Sequence, residues 1–315
     1  MDVLMESKLF VSGGFQFSDK VASNVSCDLS HLSANHEEAD TRIVLHAADA
    51  TRRGYERMIV CCRDTDVLLL LCVFSNYLSK EVWMKAGTKK RPQMIGIHDI
   101  RLDEDIRQGL LAFHAVTGCD TTSQFAGITK KSAWKVFEKE PHLLHTLGRD
   151  QTPGPDVFAA VEAFVCKLYD PSTTSTSIQH VRCSHFRQCK TNIDFLPPTE
   201  DALVQHMQRA HYQTLVWQQS MERLQTFHDA LSCGWYELEN TWKPLLLTKQ
   251  PIEKGQLEVK TCRCKEIGLK CSTRSCTCVN NKFCCTDAMH VAALATVGVR
   301  IRTINHTTQD IRFHM

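Results

Sequence analysis

The chain has 315 residues and a mass of 35.8 kDa, with 43% hydrophobic and 23% charged residues and a net charge of +2. Single cores stop growing at roughly 250–300 residues, so about two domains are expected, and the composition excludes a disordered or fibrous chain. The near-neutral charge selects no partner. The 16 cysteines, on a chain this long behind a start (MDVLMESKLF) with no continuous apolar run and no obvious cleavage site, argue against a secreted disulfide mini-protein.

In chain order, residues 1–30 are mixed, with a turn at Gly13-Gly14 after Leu9-Phe10-Val11. A helix is expected from near His36, where Glu37, Glu38 and Asp40 suit the positive end of its dipole, and Arg53-Gly54 ends it. The continuous apolar run Met58-Ile59-Val60-Cys61-Cys62 predicts a buried parallel strand. Asp64 closes it and leads into a helix from Val67 to about Leu78. Two more strands are expected at 81–84 and 94–97, then a helix over 103–116, broken at Gly118-Cys119-Asp120. Alternating strands and helices of this length predict an α/β fold with a mostly parallel sheet. Past Lys139, a short helix is expected over 157–169 and a long one after Pro197-Pro198-Thr199, and from Cys233 the chain reads as irregular. The longest apolar stretch, Met58 to Phe74, is interrupted by Arg63-Asp64-Thr65-Asp66, so no membrane segment is expected and the chain reads as intracellular.

Three acidic clusters fall at element boundaries: Glu37-Glu38-Ala39-Asp40, Asp64-Thr65-Asp66 and Asp120. Each alone also fits a helix cap or a turn. Together, at the ligand-binding edge of an α/β sheet, they would repel one another without a cation, and Mg²⁺ or Mn²⁺ is the natural partner for crowded carboxylate oxygens. Such a site can orient a water against a phosphodiester.

Gly118-Cys119-Asp120-Thr121-Thr122-Ser123 is followed by Phe125, Gly127-Ile128 and Lys130-Lys131-Ser132-Ala133-Trp134. With the acidic clusters, this pattern resembles the flap endonuclease/XPG branch of the PIN-like nucleases over residues 36 to about 138. The resemblance implies that Glu38, Asp40, Asp64, Asp66 and Asp120 are catalytic Mg²⁺ or Mn²⁺ ligands, with Asp40 replacing a glutamate. It also implies a helix–two-turn–helix element at about 118–138, in which Gly127 forms the hairpin and Lys130 and Lys131 face phosphate. The motifs His-Glu-Glu-Ala-Asp-Thr-Arg (36–42), Asp-Thr-Asp-Val (64–67) and Leu-Pro-Pro-Thr (196–199) look closer still to a mobile-element-associated animal group of PIN-like proteins, as do Arg209-Ala210, Tyr212-Gln213 and Trp217. Flap-endonuclease relatives carry further aspartates on upstream strands, whereas only Asp2, Asp19 and Asp28 precede His36. The expectation is therefore a PIN-like domain lacking its N-terminal strands.

Seven of the cysteines, Cys262, Cys264, Cys271, Cys276, Cys278, Cys284 and Cys285, lie within 24 residues. Thiolates this dense predict Zn²⁺ binding that supplies folding energy to the segment. The spacing resembles one half of a tesmin-type CXC module, which binds DNA. Lys260, Arg263, Lys265, Lys270, Arg274 and Lys282 surround it against Glu266 alone, a local +5 that matches a nucleic-acid footprint hidden by the net charge.

The expected organisation is a PIN-like domain over 1–140, a helical extension over 141–250, a zinc module over 251–290 and a tail of unassigned role over 291–315. The expected activity is a metal-dependent, structure-selective nuclease acting on DNA in the nucleus. The alternative is a non-catalytic DNA-binding or scaffold protein on a vestigial nuclease fold.

Overall fold

The structure, a computed structural model, describes residues 7–88, 90–187 and 195–249. Cys262 to Cys285, with Arg263, Lys265, Lys270 and Arg274, lie outside the described residues, as do the predicted zinc module and tail.

The described chain is a mixed α/β structure with seven α-helices and three small sheets. Strands β1 (Phe10–Ser12) and β2 (Val21–Ser23) form an antiparallel hairpin ahead of helix α1 (Ala39–Arg52). Arg42 is buried and donates to the carbonyls of Ser18, Ala34 and His36, which locks the loop leading into α1. Strand β3 (Arg57–Cys61) follows, then α2 (Thr65–Phe74), β4 (Glu81–Thr88), β5 (Arg91–Gly96) and α3 (Glu104–Thr117). Helices α4 (Lys130–Phe137), α5 (Pro155–Tyr169), α6 (Ile178–Arg187) and α7 (Glu200–Gln218) complete the helical part. A last hairpin joins β6 (Trp235–Leu238) to β7 (Thr241–Pro244). Among the described residues no helix is long and apolar enough to cross a membrane.

The central sheet corrects the expectation of a mostly parallel one. Its order is β3-β4-β5, with β3 parallel to β4 and β4 antiparallel to β5. Only two residues separate β4 from β5, too few for a crossover, so the pair can only be a hairpin. Nor is β3 buried on both faces. Val60 points into the core while Arg57 and Cys61 are exposed and Ile59 is 51% exposed. An apolar run sets strand tendency, but what covers each face depends on packing from elsewhere in the chain. The segment after Cys233, read as irregular, holds β6 and β7. Their loop residues Glu239 and Asn240 are both left-handed, as a two-residue hairpin requires. Within 118–138 the structure has one helix, α4, after a turn-rich segment, so the helix–two-turn–helix element is not formed inside that interval; the helix before the turns is α3.

Two apolar cores result. A smaller one packs Val60, Val82, Met84 and Ile97 of the sheet region against Ile43, Ala47, Val67 and Leu71 of α1 and α2. A larger, helical one gathers Leu110, Phe113 and Val116 of α3 with Phe137, Phe164, Leu203 and Trp217, and takes in Val44 and Leu70. This larger core runs across position 140.

Candidate functional site

Each acidic cluster is placed by a chain end of a helix. Glu38 is the N-cap residue of α1 and Asp40 lies in its first turn. Asp64 caps α2, its Oδ1 accepting from the Asp66 N–H at 3.0 Å, and Asp66 sits in that helix's first turn. Carboxylates are favoured at both positions by the unpaired N–H groups and the helix dipole. Asp120 is reached through Gly118, which ends α3 with φ 106° and ψ 127°. A Cβ there would stand 2.4 Å from Gln124 Cγ, so the turn that presents Asp120 depends on glycine.

The structure brings all five predicted acids into one electrostatic neighbourhood. Asp40 is pushed up to about 7, first by burial and then by the charges of Asp64, Glu38, Asp66 and Asp120. Glu38 is also raised to about 7 by burial, with the Asp66 and Glu37 charges adding to it, while hydrogen bonds from Gln213 and Trp217 work in the other direction. Crowded, half-buried carboxylates of this kind hold protons that isolated ones would release near pH 4. Asp120 is the exposed member of the group.

The supporting donors come from elements that no acidic motif marks. Gln213 Nε2 donates to Glu38 Oε1 at 2.8 Å and Trp217 Nε1 to Oε2 at 3.2 Å, so α7 holds both oxygens of Glu38. The Thr121 hydroxyl, next to Asp120, donates to Gln213 Oε1 at 2.7 Å and ties the Gly-Cys-Asp-Thr-Thr-Ser segment into the same network. From α3, the His114 ring meets Asp66 Oδ1 through Nε2 at 2.7 Å, and its centroid lies 5.6 Å from that of the Trp217 ring. Lys130, the first residue of α4, turns its Nζ to His114 Nδ1 at 2.5 Å, whereas Lys131 and Gly127 are exposed. Burial draws the Lys130 amino group down to about 8, with Cys119 and Asp66 opposing.

His114 stands in none of the quoted motifs; Thr121, Gln213 and Trp217 do, but no site role follows from those motifs alone. Trp217 is core, at 2% exposure, but it is also a donor to the site. The one signal for the others was their setting: a histidine inside Phe113-His114-Ala115 and a glutamine on the buried side of α7 are polar groups that must find partners. His206 and His211, on the same helix, are engaged elsewhere: His206 Nε2 bonds the Val116 carbonyl and His211 Nδ1 accepts from the Gly148 N–H.

Carboxylate oxygens from three segments are the donor type that a hard divalent cation takes, and the thiols of Cys62 and Cys119 lie beside them. Among the described residues, no group of three or more His, Cys, Asp or Glu side chains already stands at the spacing of a metal shell. No protein-family model, no curated protein and no solved structure matches this chain.

Proposed function

We propose that the protein is a divalent-metal-dependent, nuclease-like protein with a PIN-like core that acts on DNA phosphodiesters. One feature carries this reading: Asp40 is partly buried beside Asp64, Glu38, Asp66 and Asp120, and burial together with their charges pushes its carboxyl up, a concentration of acids that a folded protein tolerates best around a cation. Asp40, Asp64, Asp66 and Asp120 would hold Mg²⁺ or Mn²⁺, with Glu38, already held on both oxygens, behind them. Bound there, the ion would neutralise phosphodiester charge and lower the pKa of a bound water, making hydroxide available near neutral pH. The chain's part is placement: the α1 and α2 caps set Asp40 and Asp64, and the exposed Lys131 and the Gly127 backbone offer phosphate contacts that read no sequence. The cysteines from Cys262 to Cys285 would bind Zn²⁺ and, with Arg263, Lys265, Lys270 and Arg274, hold DNA close by; elemental analysis finding under one zinc per chain would end that part.

The test of the activity is Mn²⁺-dependent cleavage of branched and single-stranded DNA. Asp64→Asn and Asp120→Asn are each expected to abolish it, and undiminished cleavage by both variants rejects the assignment. A second reading, a non-catalytic DNA-binding or scaffold protein on a vestigial fold, is favoured by a different observation. No three donors stand at shell spacing among the described residues, and Glu38 spends both oxygens on α7. Calorimetric titration with Mn²⁺ separates the two, because the vestigial site gives no heat that Asp64→Asn removes.

A further inference from the structure

We propose that Gln213 is a positioning residue that sets the separation between Asp120 and the acids at the start of α1, joining the turn after α3 to α1 through one side-chain amide. This rests on the reading of those acids as cation ligands and extends it to residues that touch no reacting atom.

A side-chain amide has two unlike ends, an oxygen that accepts and a nitrogen that donates. Gln213 uses both. Its Oε1 accepts at 2.7 Å from the hydroxyl of Thr121, the residue after Asp120. Its Nε2 donates to Glu38 Oε1 at 2.8 Å. Glu38 is the N-cap residue of α1, and Asp40 lies in the turn it opens. The neighbour of one proposed ligand is therefore clipped to the cap that carries another, and the amide fixes the gap between two segments far apart in the chain.

Neither side of the clip is loose. The Cys119 N–H donates to the Thr122 hydroxyl at 3.0 Å, and that hydroxyl donates to the Ala115 carbonyl at 2.7 Å, so the turn is bound back onto α3. On the same face of α7, His206 Nε2 meets the Val116 carbonyl at 2.8 Å and Trp217 Nε1 reaches Glu38 Oε2 at 3.2 Å. Helix α7 thus grips the end of α3 and the start of α1, with Gln213 between those two contacts. The glutamine is buried, so neither end of its amide can turn to water when a partner is lost. Groups that orient metal ligands from behind in this way are worth about 10–100-fold in metal affinity.

Calorimetry with Mn²⁺ on the full chain tests the clip. Gln213→Met, which keeps the length and removes both hydrogen bonds, should bind about 10–100-fold more weakly. Thr121→Val should also weaken binding, and Thr121→Ser, which keeps the hydroxyl, should bind like the unaltered protein. Because Thr121 acts through Gln213, adding Thr121→Val to Gln213→Met should cost no further affinity. Leu203→Ala, a core truncation on the same helix outside this network, should lose stability and keep its affinity for Mn²⁺. The proposal is overturned by Gln213→Met binding like the unaltered protein, by losses that multiply in the double variant, or by an equal loss in Leu203→Ala. Equal affinities in Thr121→Val and Thr121→Ser overturn it too, and that contrast decides should Gln213→Met fail to fold. A blank titration of the unaltered protein instead overturns the cation reading itself, and the proposal with it, so this reference titration tells the two failures apart.

Discussion

The acids of the site and the groups that hold them belong to different parts of the molecule. Asp40, Asp64 and Asp66 sit at the starts of α1 and α2, helices that pack on the three-stranded sheet through Ile43, Ala47, Val67 and Leu71. Gln213, Trp217 and His114 come from α7 and α3, which build the helical core around Phe113, Phe137 and Phe164. The sheet side contributes negative charge through local caps, which a few neighbouring residues suffice to define. The helical side contributes donors through long-range packing, Gln213 and Glu38 standing 175 positions apart in the chain. Charge at this site is therefore a local property and geometry a global one.

The strongest way to break that division is from the helical side. Trp217→Ala removes a fully buried indole together with a donor to Glu38, and about 3–5 kcal/mol of stability should go with it in a urea titration. A loss below about 1 kcal/mol would mean that the helical core does not support the site. From the acid side the sign reverses. The unfolded chain ionises Asp40 near pH 4, while the folded chain keeps the proton until about pH 7. Between those values the folded state binds more protons, so stability falls as pH rises through the window and stays low above it. Asp40→Asn should therefore gain about 1–2 kcal/mol over the unaltered protein at pH 8, allowing for solvent screening, and next to nothing at pH 4. An equal gain at both would place the effect outside the carboxylate cluster. The smallest effect is expected on the open face of the sheet. Ile59→Thr should change stability by no more than about 0.5 kcal/mol, because the side chain is exposed and threonine suits a strand as well; a loss beyond about 1.5 kcal/mol would show that something covers that face.

This division also explains what could be read from the sequence. Helix starts at Ala39 and Thr65 are written in adjacent residues, and so are the acids Glu38, Asp40, Asp64 and Asp66 that stand at them. The end of α1 at Arg53-Gly54, the span of α3 and the start of α7 after Thr199 are legible for the same reason. His114 is not, because its apolar setting says only that it needs a partner, and that partner, Asp66, lies 48 residues away. The exposure of Ile59 and Cys61 is equally silent, since it depends on which elements reach the far face of β3. The β6–β7 hairpin escapes notice because its loop is Glu239-Asn240, without the glycine that usually marks such a turn.

The placement of Trp217 has a consequence for how the protein can be observed. The chain has five tryptophans, and the indole N–H of this one rests on a carboxylate that gains or loses its charge near neutral pH. Its excited state therefore feels a charge that changes with the ionisation of Glu38. A variant keeping Trp217 alone would carry its own optical reporter, its emission following the state of the carboxylate cluster without any added label.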